Sequence, residues 1–189
     1  NNTAMGHYAQ MLHNVSNNTM IGEMAGYNTS GSNNTALGQG SLTSRSGSNN
    51  TCIGQSSNTS ADGSSNQITL GDGNISTLRC NQTSISSLSD ARDKTEVVDL
   101  PVGLDFLDKI RPVKFKWQRR EPDINDGKIR AGFIAQELQE VQKDSDYLDL
   151  VMDGNPEKLE AKQGNLIPVM VQAIKELSAK VKELESKLN

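Results

Sequence analysis

The sequence predicts a β-helical, or β-solenoid, trimeric shaft followed by a small α+β domain and a C-terminal trimeric coiled coil. Three observations predict it: a glycine-centred motif returning every 16 residues in the first half, mixed helix and strand periodicity after residue 89, and a heptad seam at the end. The division is also written in charge. Of 189 residues, the first 88 hold only Glu23, Asp62, Asp72, Arg45 and Arg79, whereas the rest carry 17 basic and 20 acidic groups. We therefore expect a repeat-built segment over 1–88, an α+β core over 89–164 and a trimerisation helix over 165–189.

The repeat aligns as NNTAMG at 1–6, NNTMIG at 17–22, NNTALG at 33–38, NNTCIG at 49–54 and NQITLG at 66–71. Its glycines, Gly6, Gly22, Gly38, Gly54 and Gly71, are spaced 16, 16, 16 and 17, and a small residue (Ala9, Ala25, Ser41, Ser57) follows the first four by three places. Each unit is expected to form two short strands between turns, because Gly and Asn accept the positive φ of tight corners. A disordered low-complexity linker shares this composition, but a linker has no reason to keep register. One firmly apolar position per repeat (Met5, Ile21, Leu37, Ile53, Leu70) is too little for a lone solenoid to close a core. The expectation is a parallel oligomer, most simply a trimer, that pools these stripes near a common axis. The pattern NNTALGxxA resembles the head repeats of trimeric bacterial surface adhesins and the β-helical shafts of phage tail fibres.

In the second half, LPVGLDFLDKI at 100–110 suits a helix with Leu104, Leu107 and Ile110 on one side. VKFKWQ alternates Val113, Phe115 and Trp117 against lysines, as a strand with one wet face does, and KIRAGFIA at 128–135 is its partner across the turn REPDINDG. AQELQEV starts a helix and YLDLVM at 147–152 offers a strand. The predicted core is Phe106, Phe115, Trp117, Phe133, Ile134 and Leu138, which is small for about 75 residues, so oligomerisation would help it. At the end, Ile167, Met170, Ile174, Leu177, Val181, Leu184 and Leu188 step 3, 4, 3, 4, 3, 4. That is an a/d seam of a self-associating coil, and its heptads alone do not settle two strands against three.

Between the halves stands SSLSDARDK at 86–94. A hydroxyl and an amine form a nucleophile–base pair in Ser-Lys variants of the hydrolytic triad, provided that burial or a neighbouring cation such as Arg92 drives the proton off the amine. Taken alone, Ser89 suits a helix N-cap and Lys94 a solvated side chain. The context is more specific. Ser89-Asp90-Ala91-Arg92-Asp93-Lys94, then Leu104-Asp105-Phe106, Arg111-Pro112-Val113-Lys114-Phe115-Lys116-Trp117, Gly132-Phe133-Ile134-Ala135-Gln136-Glu137 and a terminal coil resemble, in that order, the intramolecular chaperone domain of phage tail fibres, tailspikes and endosialidases. That family is also classed as the S74 peptidases.

The resemblance implies a domain that trimerises, guides three fibre chains into one β-helical shaft in the host cytoplasm, and is then released from the virion fibre by its own Ser-Lys dyad. Ser89 and Lys94 take the catalytic positions, and the cut falls at Ser89-Asp90. Attack by Ser89 on its own carbonyl closes a strained four-membered ring, whereas attack on the Leu88 carbonyl closes a five-membered one. A neighbouring chain's serine, a lysine-activated water, or a break at Leu88-Ser89 would each resolve the conflict. The alternative reading is a non-catalytic trimeric adhesin stalk with a C-terminal cap. A third, the same domain on a membrane-bound cellular regulator, fits poorly with the Asn-rich repeat.

Several classes are not expected. The net charge of −4 with no one-sign block recommends neither nucleic acid nor an anionic membrane, and no run approaches the roughly 18 apolar residues that span a bilayer. Cys52 and Cys80 lack metal-ligand or CxxC spacing and are expected as free thiols in a reducing compartment. No cofactor or metal site is expected. His7 and His13 lie far along the chain from the junction and are expected at the surface or an interface. The Asn-x-Ser/Thr triplets follow from composition. The opening Asn1-Asn2-Thr3, with no apolar leader, predicts a fragment of a longer protein without a signal peptide. The mature fibre is expected to meet a bacterial surface receptor or glycan.

Overall fold

The structure is a computed structural model that describes residues 1–11, 14–82, 84–118 and 127–188. His13 and most of the turn expected at REPDINDG lie outside the described residues. The chain divides into two compact units, Asn1–Asn81 and Gln82–Asn189.

The first unit is a solenoid with one short strand per repeat: β1 (Thr3–Met5), β2 (Thr19–Ile21), β3 (Thr35–Leu37), β4 (Thr51–Ile53) and β5 (Ile68–Leu70). They stack in parallel in chain order, Thr3 on Thr19, Thr19 on Thr35, Thr35 on Thr51 and Thr51 on Ile68, so the sequence period is the rung spacing. The two strands expected per repeat are corrected to one. Past Gly22 and Gly38 the backbone is left-handed at alternate residues, Met24, Gly26 and Asn28 in one rung and Gly40, Leu42 and Ser44 in the next. Such a path cannot lay out the even row of amides and carbonyls that a strand needs. Its groups still pair between rungs, as when the Gly26 amide donates to the Ser41 carbonyl at 2.9 Å.

The interior is a different stripe from the one that hydropathy marks. The central residue of each of β2, β3 and β4 points inward, so Met20, Ala36 and Cys52 are fully buried with Ala25 and Leu42. Met5, Leu37 and Ile53 face out, 66%, 46% and 39% exposed. A lone chain therefore closes its own core, contrary to expectation, because much of that core is hydrogen-bonded rather than apolar. Asn18, Asn34 and Asn50 are buried in a column. Each side-chain oxygen accepts the backbone N–H of the residue one rung on, Asn18 from Asn34 and Asn34 from Asn50 at 2.8 Å, and Asn50 from Gln67 at 3.0 Å. Each amide group donates to a carbonyl, that of Gly31, Gly47 or Ser64. No polar atom of the ladder is stranded, which is the condition for burying it.

The Asn-Asn pair thus splits its duties. The first member, Asn17, Asn33 or Asn49, turns the corner with φ of 60°, 60° and 58°, a conformation Asn tolerates. The second member joins the ladder. The repeat glycine is needed for conformation and approach together: Gly22 has φ of 133°, and a Cβ there would stand 2.6 Å from the Gly38 carbonyl oxygen. In the fifth repeat Gln67 replaces the ladder Asn, and its longer side chain folds back, its oxygen accepting the Ser60 N–H at 2.9 Å and its amide donating to Ser60 Oγ at 2.7 Å.

The second unit contains α1 (Leu104–Leu107), β6 (Val113–Lys116), β7 (Ile129–Gly132), α2 (Ala135–Val141), β8 (Val151–Met152), β9 (Glu160–Ala161) and α3 (Ile167–Leu188). β6 and β7 form an antiparallel hairpin, Val113 opposite Gly132, and β8 pairs with β9. The buried core is Phe106, Leu138, Leu148, Leu150, Val151, Leu166 and Val169, with Phe133 packed against it. Of the expected core, Trp117 and Ile134 are instead exposed, and Phe115 packs edge-on against Trp117 on the hairpin. A two-stranded hairpin has no layer of its own to bury its apolar face, so the core comes from the 148–151 segment and α3 instead. YLDLVM is only in part a strand, since Asp149 takes left-handed φ of 49° after a 3-10 turn.

Candidate active site

After β5 and a turn held by Asp72, the described residues up to Asp90 form no helix or strand, and Leu88 is 102% exposed at the last step before the serine. One 3-10 turn, Ala91–Asp93, then follows. Its N-cap is Asp90, not Ser89: Asp90 Oδ1 accepts the Arg92 N–H at 2.9 Å. The same carboxylate takes the Arg92 guanidinium in a fork, Nε to Oδ1 at 3.0 Å and Nη2 to Oδ2 at 2.6 Å. That side-chain pairing, helped by the capping N–H, holds the Asp90 carboxyl below the usual carboxylate range. The Lys94 N–H closes the turn on the Ala91 carbonyl at 3.2 Å. Both flanks are extended, and Lys94 Nζ reaches back to donate to Ser89 Oγ at 2.6 Å.

The structure thus brings Ser89 and Lys94 into contact across one turn, with both side chains at the surface. A lysine ammonium can only donate, so Ser89 Oγ accepts in this contact. Base chemistry needs the reverse direction, in which an unprotonated amine takes the hydroxyl proton. The cavity bordered by Gly103, Phe106, Val141 and Glu176 includes neither residue. Among the described residues, no His/Cys/Asp/Glu cluster could hold a metal ion and no helix is long and apolar enough to cross a membrane. Neither Cys52 nor Cys80 is in a disulfide; burial pushes the Cys52 thiol up.

Other contacts tie the domain together. Arg111 grips Glu137 with its guanidinium, Nε to Oε2 at 3.1 Å, joining two of the separated sequence motifs. Glu176 on α3 accepts the Leu104 N–H at 2.8 Å, 72 residues away, and so caps α1. Gly103 leaves room for that carboxylate, which a Cβ would strike. The inner face of α3 is Val169 and Ala173, which are buried, as is Leu166 just before it. The heptad seam is a separate stripe, with Ile174 66% and Leu177 51% exposed.

Residues 89–147 match the family model of the S74 peptidases, described as the chaperone of endosialidase. The match begins at Ser89 itself and covers neither the repeat nor α3. The matched segment, residues 89–147, is therefore an S74-type chaperone domain, and a domain of that class implies a chaperone role in phage tail-fibre or endosialidase assembly. Neither a curated protein nor a solved structure matches the chain.

Sequence reasoning missed the Asp90–Arg92 fork, the Arg111–Glu137 pair and the Glu176 cap. The first had a signal in the Asp-x-Arg spacing beside the serine. The cap had none, since a contact spanning 72 residues leaves no local pattern.

Proposed function

We propose that this chain is the C-terminal part of a phage tail fibre or tailspike whose second unit trimerises, templates the solenoid and then releases itself by Ser-Lys autoproteolysis within residues 88–90. The observation that carries the reading is the family match that starts at Ser89, the residue that Lys94 touches. Two outward apolar columns support assembly by copies of this chain, one on the solenoid (Met5, Leu37, Ile53, Leu70) and one on α3 (Ile167, Met170, Ile174, Leu177, Val181, Leu184, Leu188). Both are unpartnered within their own units. A trimeric clamp raises the effective concentration of the repeats and fixes their rung, where each 16-residue slip would otherwise offer a near-equivalent pairing.

Packing against neighbouring copies removes water from the dyad and favours the uncharged amine. Lys94 then takes the Ser89 hydroxyl proton while Oγ adds to the scissile carbonyl carbon. The C–N bond breaks, the departing nitrogen receives that proton, and water cleaves the ester to restore the hydroxyl. Attack within one chain on the Leu88 carbonyl breaks Leu88-Ser89. Attack by a neighbouring copy's serine breaks Ser89-Asp90. The two routes give fragments that differ by one serine.

Intact-mass measurement of the purified wild type tests the reading. Fragments of about 89 and 100 residues are expected from the wild type. A single uncut chain is expected from Ser89→Ala and Lys94→Ala. A wild type that stays whole once assembled, or is cut as fast with Ser89→Ala, overturns it. The mature fibre's partner is then a bacterial surface receptor or glycan, which pull-down of cut fibre on host cells would reveal.

A further inference from the structure

We propose that Asp90 is the positioning residue of the dyad: by capping the Ala91–Asp93 turn and forking onto Arg92, its carboxylate folds the five-residue spacing so that Lys94 Nζ meets Ser89 Oγ. The inference rests on the autoproteolytic reading for its consequence, but its geometry is independent of that reading.

Ser89 and Lys94 are both exposed, and neither is held by a packed core. What fixes their separation is therefore local. Without the turn, bringing the two ends of a flexible segment together costs conformational entropy on every attempt. The turn removes that cost with three contacts that all begin at residue 90. Asp90 Oδ1 accepts the Arg92 N–H, the Asp90 carbonyl accepts the Asp93 N–H at 3.1 Å, and the guanidinium fork holds the carboxylate in place. The extended flanks at Asp90 (ψ 135°) and Lys94 (ψ 141°) then turn both side chains back over the turn. Asp90 makes its ion pair with Arg92, so it sets geometry rather than pairing with the base. Arg92, engaged by Asp90, is also kept from claiming the serine. If the cut falls after Ser89, Asp90 leaves as the first residue of the released domain with its cap intact.

Two measurements on the full chain test this. The first is the rate of fragment formation. Asp90→Ala is expected to slow it on the order of tenfold, while Asp90→Asn, whose amide oxygen caps equally well, stays within about threefold of wild type. Arg92→Gln, which keeps the cap and loses the fork, is expected to slow it about threefold, and adding it to Asp90→Ala costs nothing more. The second needs no cleavage. The thiol introduced by Ser89→Cys, followed by peptide mass apart from Cys52 and Cys80, is alkylated across pH. Its midpoint is expected about one unit below the ordinary thiol value of about 8.5, because a nearby ammonium favours thiolate. Adding Asp90→Ala returns the midpoint to the ordinary value, and adding Asp90→Asn keeps it low. An uncut wild type sinks the autoproteolytic reading and leaves the alkylation profile to decide this one. A midpoint indifferent to Asp90→Ala, or Asp90→Asn behaving as Asp90→Ala in either measurement, overturns the positioning role.

Discussion

The two units solve the same problem with opposite materials. The solenoid buries amides and hydroxyls beside Met20, Leu42 and small side chains, in a column where every polar atom of the Asn ladder is paired. The second unit buries ordinary apolar side chains, with Leu138 and Leu150 among them. The difference teaches where specificity comes from. A hydrophobic core tolerates repacking, because the force behind it has no direction. A hydrogen-bonded ladder does not, since each amide must meet one carbonyl and one N–H a rung away, and a slip strands several groups at once. The solenoid is thus held in one register by directional contacts rather than by burial alone.

The comparison breaks hardest at a glycine. A Cβ at Gly47 would run into the Ser64 carbonyl, a backbone atom that cannot step aside, so Gly47→Ala is expected to cost about 3 kcal/mol or more in urea unfolding of the first unit, with the second unit unchanged. Next, Asn34→Ala and Leu150→Ala should cost alike, about 3 kcal/mol each, in their own units. The first strands the Asn50 N–H and the Gly47 carbonyl, and the second leaves a cavity. If Asn34→Leu were as stable as wild type, the contrast between a polar and an apolar interior would fail. A smaller effect on folding is expected at the α3 seam. Ile174→Asp with Leu177→Asp should shift the second unit's own stability by only about 0.5 kcal/mol, yet reduce the mass seen by sedimentation to that of one copy.

The smallest effect is on pH. The Leu104 N–H first, and Gln172 second, hold the Glu176 carboxyl below its usual range. Because the value falls on folding, the stability it lends is whole above the unfolded value near 4.5 and fades as pH drops through the lower folded value. Melting of the second unit between pH 6 and pH 3 should therefore fall, and fall less in Glu176→Gln.

The repeat was legible because in a solenoid the period of the sequence is the period of the structure, Thr19 over Thr35 over Thr51. Its inward face was not. Strand alternation fixes that Met20 and Ile21 point oppositely, but with Ala36 and Cys52 as the neighbours of Met20, hydropathy chose the larger and outward residue. In the second unit, α2 and the β6–β7 hairpin stand where alternation and periodicity set them. Trp117 misled because aromatic size marks burial only where a second layer exists. The pairing of Ser89 with Lys94 was suggested by separated motifs in order, whereas the cap from Glu176 depended on a fold already formed.

Gln67 bears on aggregation. A stack of parallel rungs ends in an open edge, and an open edge invites a stray strand from another molecule. At the fifth rung the side chain that would offer the next acceptor is one methylene too long and spends itself on Ser60. The acceptor that an intruding strand would need is thereby withheld at this rung.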